Sequence, residues 1–134
     1  MIRQDERLEG VDPRLGSVVN ALMLDVVVVT GVRDKESQGL AFAEGRSQIQ
    51  WPNSKHNVSP PERTMAEAVD LSPWPVDWTK PKRFYLLAGA MIQEARKQGV
   101  PIRWGGDWDV DFNLDDQRFN DLAHFELVHG KTVT

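Results

Sequence analysis

The sequence predicts an α+β fold in which a small antiparallel sheet is flanked by helices. Three observations carry that expectation. Val26-Val27-Val28-Val29-Thr30 is a β-branched run too short for a helix and suited to a buried strand. Phe84, Leu87, Ala88, Met91, Ile92 and Ala95 recur at helical spacing and mark one buried helical face. Further on, His124, Glu126 and Val128 alternate with Phe125 and Leu127, the period-two pattern of a strand with a polar and an apolar side. Apolar residues make up 40% and charged residues 27% of the 134 positions, a length and composition suited to one hydrophobic core. The expected organisation is thus a single domain over 1–134, with a polar tail from His129 to Thr134.

The elements follow in order. Asp12 is placed to cap a helix that starts at Pro13, and Leu15, Val18, Val19 and Leu22 trace its buried face. Asp25 leads into the Val26–Thr30 strand; Gly31 ends it, and Arg33 falls just beyond its C-terminal end. A short helix is expected from Glu36 through Ala43, with Gly45 as its stop. The stretch 51–61 is rich in turn formers and contains Pro60-Pro61, so His56 belongs to a loop. Met65 to Leu71 predicts a strand with Ala66, Ala68 and Asp70 on one face and Met65, Glu67 and Val69 on the other. Two alanines in line with an aspartate suit either a pocket floor or a surface that receives a packed helix. Pro73, Pro75 and Pro81 mark a connection to the long helix, which Gly99 and Pro101 close. Its apolar stripe is core, with no cofactor role. Ile102-Arg103-Trp104 is a short strand running into Gly105-Gly106-Asp107-Trp108, and Phe119 to Val128 is the last element.

Several function classes are disfavoured. A net charge of −4 leaves no basic footprint for nucleic acid. Apolar runs such as that around Val26 to Val29 are far below the roughly 20 residues that span a bilayer. The first residues, Met-Ile-Arg-Gln-Asp-Glu-Arg, lack the apolar segment of a secretory signal. The expectation is a protein made in the cytoplasm, without membrane insertion, that needs another route to work outside. Because cysteine is absent, any metal site must draw on Asp, Glu and the three histidines.

Catalytic zinc usually has three protein ligands and one open position. His56, Asp70 and His124 can supply such a set, one from a loop and two from strand faces. By residue type alone, a lone histidine is more often a hydrogen-bonded surface or core residue than a ligand. Order and context add more. Ser54-Lys55-His56, then Ala68-Val69-Asp70-Leu71, then Asp121-Leu122-Ala123-His124-Phe125-Glu126-Leu127 resemble the signature of the VanY/VanX-type (M15) zinc peptidases. Within that group the chain is most similar to phage endolysins of the L-alanyl-D-glutamate peptidase kind. The agreement also takes in Thr30-Gly31-Val32-Arg33 and Arg103 to Trp108, so it spans roughly residues 8–128.

The resemblance implies a Hedgehog/DD-peptidase-like form of the α+β fold and one zinc ion bound by His56, Asp70 and His124. It implies that Asp121 is the catalytic acid/base and that Arg33 contacts the substrate carbonyl. Ser54, beside the first ligand, is expected to contact substrate or support that ligand. Glu126 shares a face with His124; it is the rival base, but is expected to orient a ligand. Trp104 and Trp108, with the paired glycines, are expected to wall the substrate cleft. The chain departs from the family pattern in two places: Asp70 falls fourteen positions after His56, about twice the usual gap, and Ala66 replaces a frequent glycine. Loop length adds only slowly to closure entropy, so the longer gap need not harm coordination.

Asp107, Asp109, Asp111, Asn113 and Asp115 alternate as in a calcium loop, yet Phe112 and Arg118 stand where glycine and glutamate are needed. An acidic solvated loop is favoured over calcium. The implied activity is hydrolysis of peptidoglycan stem peptides, with L-Ala–D-Glu the favoured bond and D-Ala–D-Ala carboxypeptidase activity the runner-up. A non-catalytic zinc-bearing wall-binding or structural module is the reading from a different class. A monomer without a separate wall-binding domain is expected, released by a holin-type partner.

Overall fold

The computed structural model describes residues 6–107 and 121–129. Asp12 accepts a hydrogen bond from the Arg14 backbone N–H at 2.9 Å and so starts helix α1 (Pro13–Asn20), with Pro13 in the first turn where no N–H is required. Strand β1 (Val26–Thr30) follows, then α2 (Lys35–Ala43), capped by the Asp34 carboxylate on Ser37 N–H at 2.8 Å. Strand β2 (Ala68–Pro73), helix α3 (Pro81–Gln98), strand β3 (Ile102–Gly105) and strand β4 (Asp121–Leu127) complete the order. Gly99 ends α3 in the left-handed conformation that glycine adopts without strain. No helix among the described residues is long and apolar enough to cross a membrane.

The four strands form one antiparallel sheet in the order β1-β2-β4-β3. Because side chains alternate, the register sorts residues onto two faces. Val69 pairs with Phe125, Trp104 with Phe125, and Ile102 with Leu127. These side chains join Val28, Leu71 and the buried faces of α1 and α3 in a single apolar core. The opposite face is polar: Asp70 pairs with His124, Ala68 with Glu126, and Arg103 with Glu126. The α+β expectation therefore holds, with the helical layer on one side and the chemistry on the other.

Two strands differ from expectation in their bounds. The second strand begins at Ala68, not Met65, and continues to Pro73. Residues before it are claimed by other partners: Ala66 N–H donates to the Gly10 carbonyl at 2.8 Å and Glu67 N–H to the Lys55 carbonyl at 2.7 Å. At its far end, pairing of Val26 with Pro73 extends the ladder. Ala66 is thus buried against the N-terminal segment, and only Ala68 shares the Asp70 face. Val128 lies beyond the end of β4.

Phe125 is fully buried at the centre of the core. Phe125→Ala is expected to lower unfolding free energy by about 3–5 kcal/mol in urea denaturation of the metal-free protein, the range for emptying a large aromatic site.

Candidate metal centre and active site

The pairing of Asp70 with His124 puts their side chains next to each other on the polar face. His124 Nδ1 lies 3.2 Å from Asp70 Oδ1. The loop at residues 51–58 brings His56 to the same oxygen, with Nε2 at 3.3 Å. The two imidazole centroids are 5.1 Å apart in an edge-on arrangement. One ligand atom from each of the three residues lies within 4.8 Å of the others, and this is the one such grouping among the described residues.

Both rings are held from behind. His56 Nδ1–H donates to the Gly31 carbonyl at 2.8 Å, which presents the other nitrogen, Nε2, to the centre. His124 Nε2–H donates to Glu126 Oε1 at 2.8 Å, which presents Nδ1. An outer partner for each ring fixes tautomer and orientation, as metal-ligating histidines require. Two imidazole nitrogens and one carboxylate oxygen form a set that suits a divalent ion.

The Gly31 carbonyl is itself braced. A bulge in β1 between Val28 and Thr30 precedes it. A Cβ on Gly31 would fall 2.2 Å from the Arg7 carbonyl oxygen, so only glycine allows the N-terminal segment to close over this turn. The Arg33 N–H donates to the His56 carbonyl at 2.8 Å, tying the turn to the ligand loop a second time.

Charge is matched around the cluster. Burial opposes ionisation of Asp70, but hydrogen bonds from His124 and His56 outweigh it and hold the carboxyl well below its usual range. Burial likewise works against a charged His124, yet its bonds to Asp70 and Glu126 raise it to about 9. Glu126, opposed by burial but bonded to His124 and close to Lys55 and Arg103, is lowered to about 2. Its Oε2 receives Arg103 Nε at 2.9 Å and Lys55 Nζ at 3.2 Å, while Oε1 receives His124.

Arg33 enters from the loop after β1. Its Nη2 is 3.5 Å from Asp70 Oδ2, and its Nη1 donates to Gln38 Oε1 at 3.1 Å. Burial lowers its pKa, partly offset by Asp70 and Asp121. Asp121 opens β4 and pairs with Gly105; a Cβ on Gly105 would fall 2.0 Å from the Asp121 carbonyl oxygen. Burial first and the Asp70 charge second raise the Asp121 carboxyl above its ordinary value. A carboxyl raised in this way is suited to taking up and giving back a proton.

The remaining expected site residues separate. Ser54 is buried and turned inward: its Oγ accepts the His56 N–H at 3.2 Å, so it supports the ligand loop from within. Trp104 is 5% exposed, on the helix-facing side of the sheet, with its Nε1–H donated to the Leu122 carbonyl at 2.7 Å. It is core and does not wall the polar face, because strand alternation sends Arg103 to that face and Trp104 to the other. Trp108 lies outside the described residues, as does the acidic alternation after Asp107. Among the buried polar residues absent from the sequence expectations, Gln38 and Asn57 are the ones that bond to Arg33. Gln38 sits on α2 five residues after Arg33, and nothing in helical periodicity separates it from an ordinary surface glutamine.

A four-stranded sheet packed on helices, with a His–Asp–His cluster on its open face and a half-buried guanidinium and carboxyl close to it, has the frame of a peptidase. Residues 2–128 match the family described as phage L-alanyl-D-glutamate peptidase, and the chain belongs to that family. It is 26% identical to the L-alanyl-D-glutamate peptidase of Escherichia phage T5, over 92% of this chain and 93% of that one. The crystal structure of the Serratia marcescens L-Ala D-Glu endopeptidase ChiX superposes with a TM-score of 0.70 at 27% identity, covering 94% of this chain and 86% of that one.

Metal loading is expected to depend on pH with a definite sign. Coordination needs neutral imidazole, whereas His124 holds its proton up to about 9 without metal. Apparent zinc affinity, measured by chelator competition, is expected to rise roughly tenfold per pH unit from 6.5 toward 9, the slope of one released proton. In the metal-free protein the same group contributes stability that is fully present below its unfolded pKa near 6.5 and lost as pH rises through about 9. Asp70, depressed, contributes stability that is lost only as pH falls below its usual range. A melting temperature of the metal-free protein that climbs between pH 7 and 9 would contradict this assignment.

Proposed function

We propose that the protein is a zinc-dependent endopeptidase that hydrolyses the L-Ala–D-Glu bond of peptidoglycan stem peptides. The observation that carries the reading is the convergence of His56 Nε2, His124 Nδ1 and Asp70 Oδ1, with both outer ring N–H groups already anchored. Family membership and the names of the two relatives support this bond over D-Ala–D-Ala as substrate. His56, Asp70 and His124 would hold the ion. Zinc, when bound in such a site, acidifies water and polarises the amide carbonyl.

The chain's own groups supply the rest. Asp121, kept partly protonatable by burial, takes a proton as water adds to the amide carbon and returns it to the departing D-Glu amine. The C–N bond breaks, leaving an alanine carboxylate and a free amine. Arg33 faces the developing oxyanion from the Asp70 side, where a fixed cation in a water-poor setting is most effective. Glu126 is a poor candidate base, because both of its oxygens are engaged and its carboxyl is lowered. A complete ligand set beside Asp121 also favours catalysis over a purely structural or wall-binding module. Release to the wall through a membrane lesion made by a holin-type partner, and action as a monomer, complete the proposal.

Digestion of purified muropeptides followed by mass spectrometry is expected to reveal new D-Glu N-termini, abolished by chelator and restored by zinc. Release of free D-Ala instead would select the carboxypeptidase. Asp121→Asn is expected to keep its zinc and lose about a hundredfold to ten-thousandfold in kcat, the scale of a general acid–base group. Undiminished turnover by this variant would remove Asp121 from the mechanism.

A further inference from the structure

Gln38 projects from α2 and is fully buried, although it is an uncharged polar residue remote from the ligand set in sequence. All of its amide capacity is directed. Nε2 donates to Ser47 Oγ at 3.0 Å and to the Ile49 carbonyl at 2.6 Å, which identifies Oε1 as the acceptor end. That oxygen receives Arg33 Nη1 at 3.1 Å and Asn57 Nδ2 at 3.1 Å. Asn57 is equally buried; it donates also to the Arg33 carbonyl at 3.0 Å, and its Oδ1 accepts the Ser54 N–H at 3.1 Å. Two interlocked amides thus connect the guanidinium of Arg33 to the loop that presents His56. A buried amide pair with every group satisfied holds its members in one arrangement.

We propose that Gln38 is a positioning residue for the peptidase reaction: it fixes the Arg33 guanidinium beside Asp70 and registers it against the His56 loop without itself touching substrate. Arginine has four side-chain torsions and, without a partner at Nη1, would sample several poses around the single contact to Asp70. Gln38 removes that freedom from the far side, leaving the remaining guanidinium edge for the carbonyl oxygen. Recognition of the substrate is left to other groups, so Gln38 acts on the chemical step. The proposal rests on the role given to Arg33 above.

A double-mutant cycle on the zinc-loaded protein tests it, using a muropeptide that contains the L-Ala–D-Glu bond. Gln38→Leu is expected to lower kcat by about 10- to 100-fold, the scale of misplacing a catalytic group by about an ångström, with KM changed less than about threefold and zinc content unchanged. Arg33→Ala is expected to lower kcat at least as far. Adding Gln38→Leu to Arg33→Ala is expected to cost no more than about twofold further, since the group it positions is gone. Losses that multiply in the double variant would overturn the proposal, as would unchanged kcat in Gln38→Leu. Full activity in Arg33→Ala alone would instead overturn the role of Arg33. Gln38→Glu, which keeps an acceptor toward Arg33 and Asn57, provides the measurement if the leucine variant does not fold. It is expected to retain more kcat than Gln38→Ala, and equal loss in the two would refute the positioning role.

Discussion

The register between β2 and β4 is the constraint on which the site depends. Asp70 opposite His124 places a carboxylate and an imidazole side by side on the face away from the helices. The same register places Val69 opposite Phe125 on the face toward them. A slip of one residue in either strand would bury one of the polar pair and expose its apolar neighbour. The core therefore enforces the geometry of the His–Asp–His cluster. The strongest term in stability and the most exacting demand of function are satisfied by one alignment.

The polar face solves a harder problem than the apolar one, because it concentrates charge out of water. Asp70 and Glu126 are buried there, with Asp121 half-buried and close enough to feel the Asp70 charge, and isolated buried carboxylates are expensive. Each is matched with partners. Asp70 has two imidazoles and Arg33; Glu126 has His124, Lys55 and Arg103. Asp121 is raised instead, by burial first and the Asp70 charge second. The three carboxyl groups are thereby driven apart in protonation: Asp70 and Glu126 are lowered, and Asp121 is raised. The differences come from neighbours, since two of the three are the same residue type.

Much of this was legible in the chain. The β-branched run, the stripe on α3 and the alternation through 123–127 mark elements whose patterns are set by burial on one side, and these appear as expected. That His56, Asp70 and His124 belong together was legible through motif order more than through chemistry. The start of β2 was not, because Ala66 and Glu67 exchange ladder bonds for bonds to Gly10 and Lys55, residues distant in sequence. Trp104 was misjudged for a related reason: adjacent glycines suggest an open cleft, but strand parity sends the indole into the core. Its ring then packs on Gly106, where a Cβ would lie 2.4 Å away.

By itself the sequence determined the secondary elements, the division of β4 into a polar and an apolar side, and the residue types from which a metal centre can be built. Those are local properties, written in spacing and side-chain chemistry. Tertiary structure decided which oxygen of Asp70 faces both imidazoles, which nitrogen of each histidine is left for coordination, and that Gln38 and Asn57 stand behind Arg33. These depend on hydrogen bonds between segments brought together only by the closed sheet and its loops. No local pattern encodes them.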